Sequence, residues 1–125
     1  MKQRISDAES KIMTLIWKQN PITAAEVIML LKDDNDWEDK TIKTLLNRLL
    51  KKGFINHEKV GRHYRYRPAV ERETYLKQEN THFLERFYDG KLSPLIASFS
   101  RHNKLSEDDV AALHDLIEKM EQNRD

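Results

Sequence analysis

The chain contains no cysteine. That absence removes disulfides, thiolate metal sites and cysteine nucleophiles together. Glycine and proline are scarce, three of each, and all six stand where the hydrophobic pattern changes: Gly53, Gly61, Gly90, Pro21, Pro68 and Pro94. They read as punctuation between elements. No Gly-rich phosphate loop, nucleophile elbow or pair of carboxylates in an apolar setting is spelled anywhere. No apolar run approaches the ~18 residues of a membrane span, and Met1-Lys2-Gln3-Arg4-Ile5 has no apolar signal segment after it. A cytoplasmic chain without membrane contact is therefore expected. The histidines at 57, 63, 82, 102 and 114 lack ligand spacing on any one helix, so no metal is expected. The acid clusters at 33–36 and 107–109 read as a solvated loop and a helix cap. Cofactors and enzymatic activity are not expected.

What the chain has is charge, unevenly placed. Charged residues make up 34% against 38% hydrophobic, which leaves apolar material for a modest core in one domain or two small ones. Residues 40 to 67 hold nine Lys/Arg and one acid, Glu58, a local balance of +8, while the whole chain is only +1. Everything outside the block is therefore acidic on balance. Positive charge gathered in one continuous block is the electrostatic footprint of a nucleic-acid binder.

The block begins with an amphipathic helix. Ile42, Leu45, Leu46, Leu49 and Leu50 fall at i, i+3, i+4, i+7 and i+8. Gly53 stands where a left-handed residue ends such a helix, and Lys51 and Lys52 suit the negative end of its dipole. The opposite face carries Lys40, Thr44, Asn47 and Lys51, flanked by Thr41, Lys43 and Arg48. It has no acid after Asp39. Such side chains reach phosphates and base edges in a DNA major groove. After Gly53 the period becomes alternating. Phe54 to Val60 and His63 to Arg67 read as two strands joined around Gly61. On the second strand Tyr64 and Tyr66 are expected to face the core, while His63, Arg65 and Arg67 face outward. Arg62 and His63 lie at its tip, placed for phosphate. Helix, glycine and basic hairpin form the second half of a winged helix-turn-helix.

The preceding residues supply the first half. Ser6-Asp7-Ala8-Glu9 is a capping box, followed by Ala8, Ile12, Leu15 and Ile16 at helical spacing as far as Trp17. Asn20-Pro21 stops that helix. Thr23-Ala24-Ala25-Glu26 is a second capping box, opening a helix with Val27, Leu30 and Leu31 on its inner face. Asp33 to Asp36 read as an acidic loop. Trp37 is expected to fold back on the core, with Glu38 or Asp39 capping the next helix.

Beyond Pro68 the pattern is helical throughout. A helix of about 19 residues, ~28 Å long, is expected from Glu71 to Asp89, carrying Leu76, Phe83, Leu84, Phe87 and Tyr88. Ser93 with Pro94 at the first helical position starts another, with Leu95, Ile96 and Phe99 apolar. Ser106 caps a last helix whose Val110, Leu113, Ile117 and Met120 keep 3-4-3 spacing, an a/d seam. A segment of about 55 residues buries such stripes poorly by itself. Pairing with the same segment of a second chain is the economical solution. The expected fold is mainly α with a small β-hairpin wing: a winged helix-turn-helix over residues 1–69 and a helical dimerisation domain over 70–125. Leu76, Phe83, Phe87, Leu95, Ile96, Phe99, Val110, Leu113, Ile117 and Met120 are the candidate dimerisation residues.

Several stretches resemble the penicillinase-repressor family of bacterial regulators, the BlaI/MecI/CopY type. These are Ile12 to Trp17, Trp37-Glu38-Asp39-Lys40-Thr41-Ile42-Lys43-Thr44-Leu45-Leu46-Asn47-Arg48-Leu49, Lys51-Lys52-Gly53-Phe54-Ile55, Tyr64-Arg65-Tyr66, and Leu105 to Asp109. The resemblance implies a homodimeric repressor on a palindromic double-stranded DNA operator. Lys40, Thr41, Lys43, Thr44, Asn47 and Arg48 would lie on the recognition helix, with Arg62 to Arg65 on the wing. In the antibiotic-responsive branch of the family a protease linked to a membrane sensor cuts an Asn-Phe bond in the dimerisation domain. The matching pair here is Ser98-Phe99, which departs at its first residue. The copper-responsive branch ends in a cysteine-rich hook, which this chain cannot form. Two alternatives stand beside this reading: a winged-helix module that contacts protein, and a repressor relieved by direct ligand binding.

Overall fold

The computed structural model describes residues 4–102 and 105–124. Met1 to Gln3, which entered the expectation of no signal segment, lie outside them. The elements follow the order α1 (Asp7–Lys18), β1 (Ile22–Thr23), α2 (Ala24–Asn35), α3 (Asp39–Lys52), β2 (Ile55–Val60), β3 (His63–Pro68), α4 (Arg72–Phe87), α5 (Ser93–Arg101) and α6 (Glu107–Gln122). The fold is mainly α with a small antiparallel sheet. No helix among the described residues is long and apolar enough to cross a membrane. Two compact units divide the chain, residues 1–76 and 77–125. That division falls later than the boundary expected after Ala69, because Tyr75 in α4 packs against the core of the first unit.

Local signals in the first unit give the elements they spell. Ser6 Oγ accepts from the Glu9 N–H at 3.1 Å while Glu9 Oε1 accepts from the Ser6 N–H at 2.8 Å, so the first capping box is closed. Thr23 and Glu26 close the second in the same way. Inside, Ile12, Met13, Ile16, Ile22, Val27, Ile42, Leu45, Leu46, Leu49, Phe54, Ile55 and Tyr66 form one buried cluster. Trp37 packs against it, and Lys11 Nζ stands 5.6 Å from its ring centroid.

Within the first unit, several details differ from expectation. Asp33 to Asn35 continue α2, and the helix turns off only at Asp36, which takes a left-handed conformation (φ 52). Asn35 fastens this last turn, donating to the Leu31 carbonyl at 2.9 Å and accepting from Lys11 Nζ at 2.8 Å. Leu30 is exposed, and of the expected inner face only Val27 and Leu31 meet the core. Ile22 and Thr23 pair with Tyr66 and Arg65, making β3 the central strand of the order β1-β3-β2. Two residues are too few to show alternation, so nothing local announces β1. Tyr64 shares the pleat face of Tyr66 yet is 47% exposed, because the outer part of the hairpin runs past the core. It stacks instead on His57 of β2, with ring centroids 4.6 Å apart.

The second unit has helices without a buried interior. α4 is 16 residues long rather than the expected 19 or so. It ends early because Asp89 and Gly90 both adopt positive φ, and the Gly90 N–H returns to the Leu84 carbonyl at 2.9 Å, a Schellman closure. Ser93 is the first residue of α5 rather than its cap, so the cap position falls on Leu92, which makes no side-chain cap bond. α6 opens on a complete capping box between Ser106 and Asp109. No residue of α4, α5 or α6 is fully buried.

Candidate nucleic-acid interface

α3 is the element that organises the site. Its stripe of Ile42, Leu45, Leu46 and Leu49 is buried in the core. The opposite side must then face outward, since a helix carries residues three and four apart on one face. Lys40, Thr41, Lys43, Thr44, Asn47, Arg48 and Lys51 are all exposed. Glu38 is the N-cap residue but makes no side-chain cap bond. A shallow hollow of about 300 Å³ is lined by Glu38, Lys40, Thr41, Thr44, Leu45 and Arg48. Its lining offers hydroxyl, ammonium, guanidinium and carboxylate groups, the inventory of base-edge and phosphate contacts.

Of the two acids at the start of this face, Asp39 is held in place. Asp39 accepts from Lys32 of α2 at 2.9 Å, and that hydrogen bond, with the charge attraction behind it, raises the Lys32 pKa. The contact ties the start of α3 back to α2. At its other end α3 stops on Gly53 (φ 82), whose N–H returns to the Leu49 and Leu50 carbonyls. A left-handed residue here turns the chain directly into β2.

The hairpin supplies the second cationic surface. Registry pairs Asn56 with Arg67, Glu58 with Arg65 and Val60 with His63, so these six side chains share one pleat face. Arg62, His63, Arg65 and Arg67 are exposed. Two of these cations have acidic company. Arg67 reaches Glu58 at 3.4 Å. Glu26 at the head of α2 has its pKa lowered by hydrogen bonds from Thr23 and, more weakly, by the Arg65 charge. The structure thus assembles the expected α3 residues on one face and sets Arg62, His63 and Arg65 on the hairpin. Sequence reasoning missed Glu38 as a lining residue and the pairing of Arg65 with Thr23, the cap residue of α2, which comes from the unannounced β1.

In the second unit the expected apolar positions are largely open. Phe83, Phe87, Phe99, Val110, Ile117 and Met120 are exposed, and Leu95, Ile96 and Leu113 are half-buried; Leu76, also half-buried, falls at the end of the first unit. Leu116 is exposed as well and was missed, because it falls outside the 3-4-3 spacing. An apolar cavity of about 380 Å³ is lined chiefly by Ile96, Phe99, Leu105, Leu113 and Leu116. The Ser98–Phe99 bond lies in the second half of α5, with the Ser98 carbonyl accepting from the His102 N–H at 3.3 Å. Among the described residues no group of three or more His, Asp or Glu could hold a metal ion.

Comparison with known proteins adds to this geometry. Residues 5–119 match the family model described as Penicillinase repressor. The chain is 39% identical over 116 residues to the penicillinase repressor of Bacillus licheniformis, covering 93% of this chain and 91% of that one. It is 32% identical over 115 residues to the methicillin resistance regulatory protein MecI of Staphylococcus aureus, covering 92% of this chain and 94% of the relative. Among solved structures, it resembles the solution structure of the Bacillus licheniformis BlaI monomeric form in complex with the blaP half-operator. The TM-score is 0.52 at 45% identity, over 60% of this chain and 94% of that one.

Proposed function

The chain belongs to the penicillinase repressor family, and we propose that it represses transcription as a homodimer bound to a palindromic operator in the cytoplasm. One observation carries the reading: an outward helix face with no acid between Lys40 and Lys52, followed directly by a cationic hairpin. The likeness to a relative solved with its half-operator supports it. α3 enters the major groove and Thr44 and Asn47 read base edges, while Lys40, Lys43, Arg48, Lys51 and the hairpin cations neutralise phosphates. Two such helices related by a two-fold axis read half-sites about one helical turn apart, or a multiple of it.

The open apolar faces of α4, α5 and α6 supply the dimer contact in this reading. Relief follows when a sensor-linked protease cuts at Ser98-Phe99, which separates α6 from the winged unit. A helical bond must unwind before it can be cut, and α5 has neither a buried residue nor a side-chain cap bond to resist local opening. Relief by a directly bound ligand is the second reading, favoured by the apolar cavity near Phe99. A module that contacts protein alone is disfavoured, since an exposed apolar or acidic α3 would serve it better.

The test is titration of the full chain onto its own upstream DNA at two salt concentrations, against scrambled DNA. Specific binding that weakens steeply with salt is expected, because each neutralised phosphate releases counterions. Equal affinity for scrambled DNA contradicts the reading.

A further inference from the structure

Lys51 and Lys52 are neighbours in the cationic block, but their surroundings separate them. Lys51 is exposed. Lys52 Nζ instead lies 2.6 Å from Glu9 Oε1 and donates to the Arg4 carbonyl at 2.9 Å. Glu9 is 1% exposed. The same Oε1 also accepts the Ser6 N–H at 2.8 Å, so one carboxylate oxygen closes the cap of α1 and holds the last turn of α3. Its other oxygen, Oε2, is buried without a hydrogen-bond partner among the described residues. A buried carboxylate paired with a cation loses much when that cation is removed.

We propose that Lys52 is a positioning residue for the DNA-reading helix, spent on Glu9 rather than on phosphate. This rests on the reading of α3 as the recognition helix and adds what sets its seat. α3 is then fixed at both ends, by Lys32 on Asp39 at the start and by Glu9 on Lys52 at the finish. The two contacts differ in kind. Lys32 and Asp39 are half exposed, with side-chain exposures of 49% and 56%, against 24% and 1% for Lys52 and Glu9. Water screens the first pair far more than the second. Base readout tolerates displacements of only about 0.5 Å, and the last turn of α3 lies directly beyond Asn47 and Arg48. A shift there therefore costs sequence discrimination before it costs general attraction to DNA.

The experiment compares the full chain with Glu9→Gln, Lys52→Met and the double variant Glu9→Met/Lys52→Met. It measures operator and scrambled-DNA affinity across a salt series, and amide hydrogen exchange over Leu49 to Phe54. Folding is checked by circular dichroism. Each single variant should lose about tenfold of its operator preference, the scale of one base contact, and exchange faster over Leu49 to Phe54. Neither should change the salt slope on scrambled DNA. The double variant, with an apolar pair in place of the ion pair, should fold even where a single variant does not. It should recover most of the preference and keep the full salt slope. A slope flattened by about 0.9 in Lys52→Met and in the double variant would make Lys52 a phosphate contact and overturn the proposal. Single variants with unchanged preference and unchanged exchange would overturn it as well. If the unaltered chain itself fails to prefer operator, the DNA reading fails separately, and hydrogen exchange still decides whether the pair seats α3.

Discussion

The two units of this chain spend their apolar residues differently. In the winged unit twelve hydrophobic side chains from helices and strands close into one buried cluster. In the helical unit Phe83, Phe87, Leu92, Phe99, Val110, Leu116, Ile117 and Met120 remain exposed. Both units have well-formed helix starts: the capping box at Ser106 is as complete as those at Ser6 and Thr23. Helix formation and core formation are thus separate achievements. The elements of the helical unit come from local signals while its apolar faces stay open, and in the proposed repressor a second copy covers them.

This contrast sets an order of expected effects. The largest is in the winged core. Leu46→Ala opens a cavity at a side chain that is 1% exposed and should cost about 2–5 kcal/mol by denaturant unfolding. Ile117→Ala, at a side chain 55% exposed, should leave the winged unit's stability unchanged and act only through a concentration-dependent midpoint. Equal, concentration-independent losses for the two would erase the distinction between the units.

Next comes the division of labour within the winged unit. Asn47→Ala should lower discrimination between operator and mismatched sites by about 1–3 kcal/mol. Arg65→Ala should weaken binding evenly on all sequences and flatten the salt slope by about one unit. Binding measured on an operator mutant panel at several salt concentrations separates the two. Base preference altered by Arg65→Ala and untouched by Asn47→Ala would reverse the assignment.

The smallest effect is a pH dependence in the winged unit. Burial pushes the Glu9 carboxyl up, but hydrogen bonds from Lys52 and Ser6 outweigh it and hold its pKa below the ordinary 4.5. A carboxylate depressed in the folded state stabilises above its unfolded value and loses that contribution as pH falls through the folded one. The melting temperature should therefore drop below about pH 4.5, and Glu9→Gln should drop less over the same window. Glu26, also depressed, leaves a residual slope in that variant. Identical acid profiles for the two proteins would mean that the pair contributes nothing to stability.

How much of this was legible in the sequence follows the range of each interaction. Capping boxes act over three residues, and Ser6, Thr23 and Ser106 announced their helices correctly. The buried stripe of α3 and its exposed cationic face followed from spacing alone. Contacts between distant residues left no such trace. Lys52 and Glu9 are 43 apart in sequence, so Lys52 read as one more cation of the block. Tyr64 obeyed the alternation that put Tyr66 inside, but alternation fixes a face and cannot say where the core beneath it ends. Leu30 failed for the same reason: its helix is covered over only part of its apolar arc. The end of α4 was misplaced by the left-handed turn at Asp89, a conformation that aspartate tolerates without advertising it.

The claim beneath these comparisons is that the winged unit touches DNA and the helical unit joins two copies. Truncating the chain after Ser98 tests it most directly, because it removes Phe99 and all of α6 and leaves α3 and the hairpin intact. The account predicts a monomer by light scattering that binds operator about 10²-fold or more weakly, since the second half-site contact is no longer intramolecular. A truncated chain that stays dimeric and binds operator as tightly as the full one would contradict it.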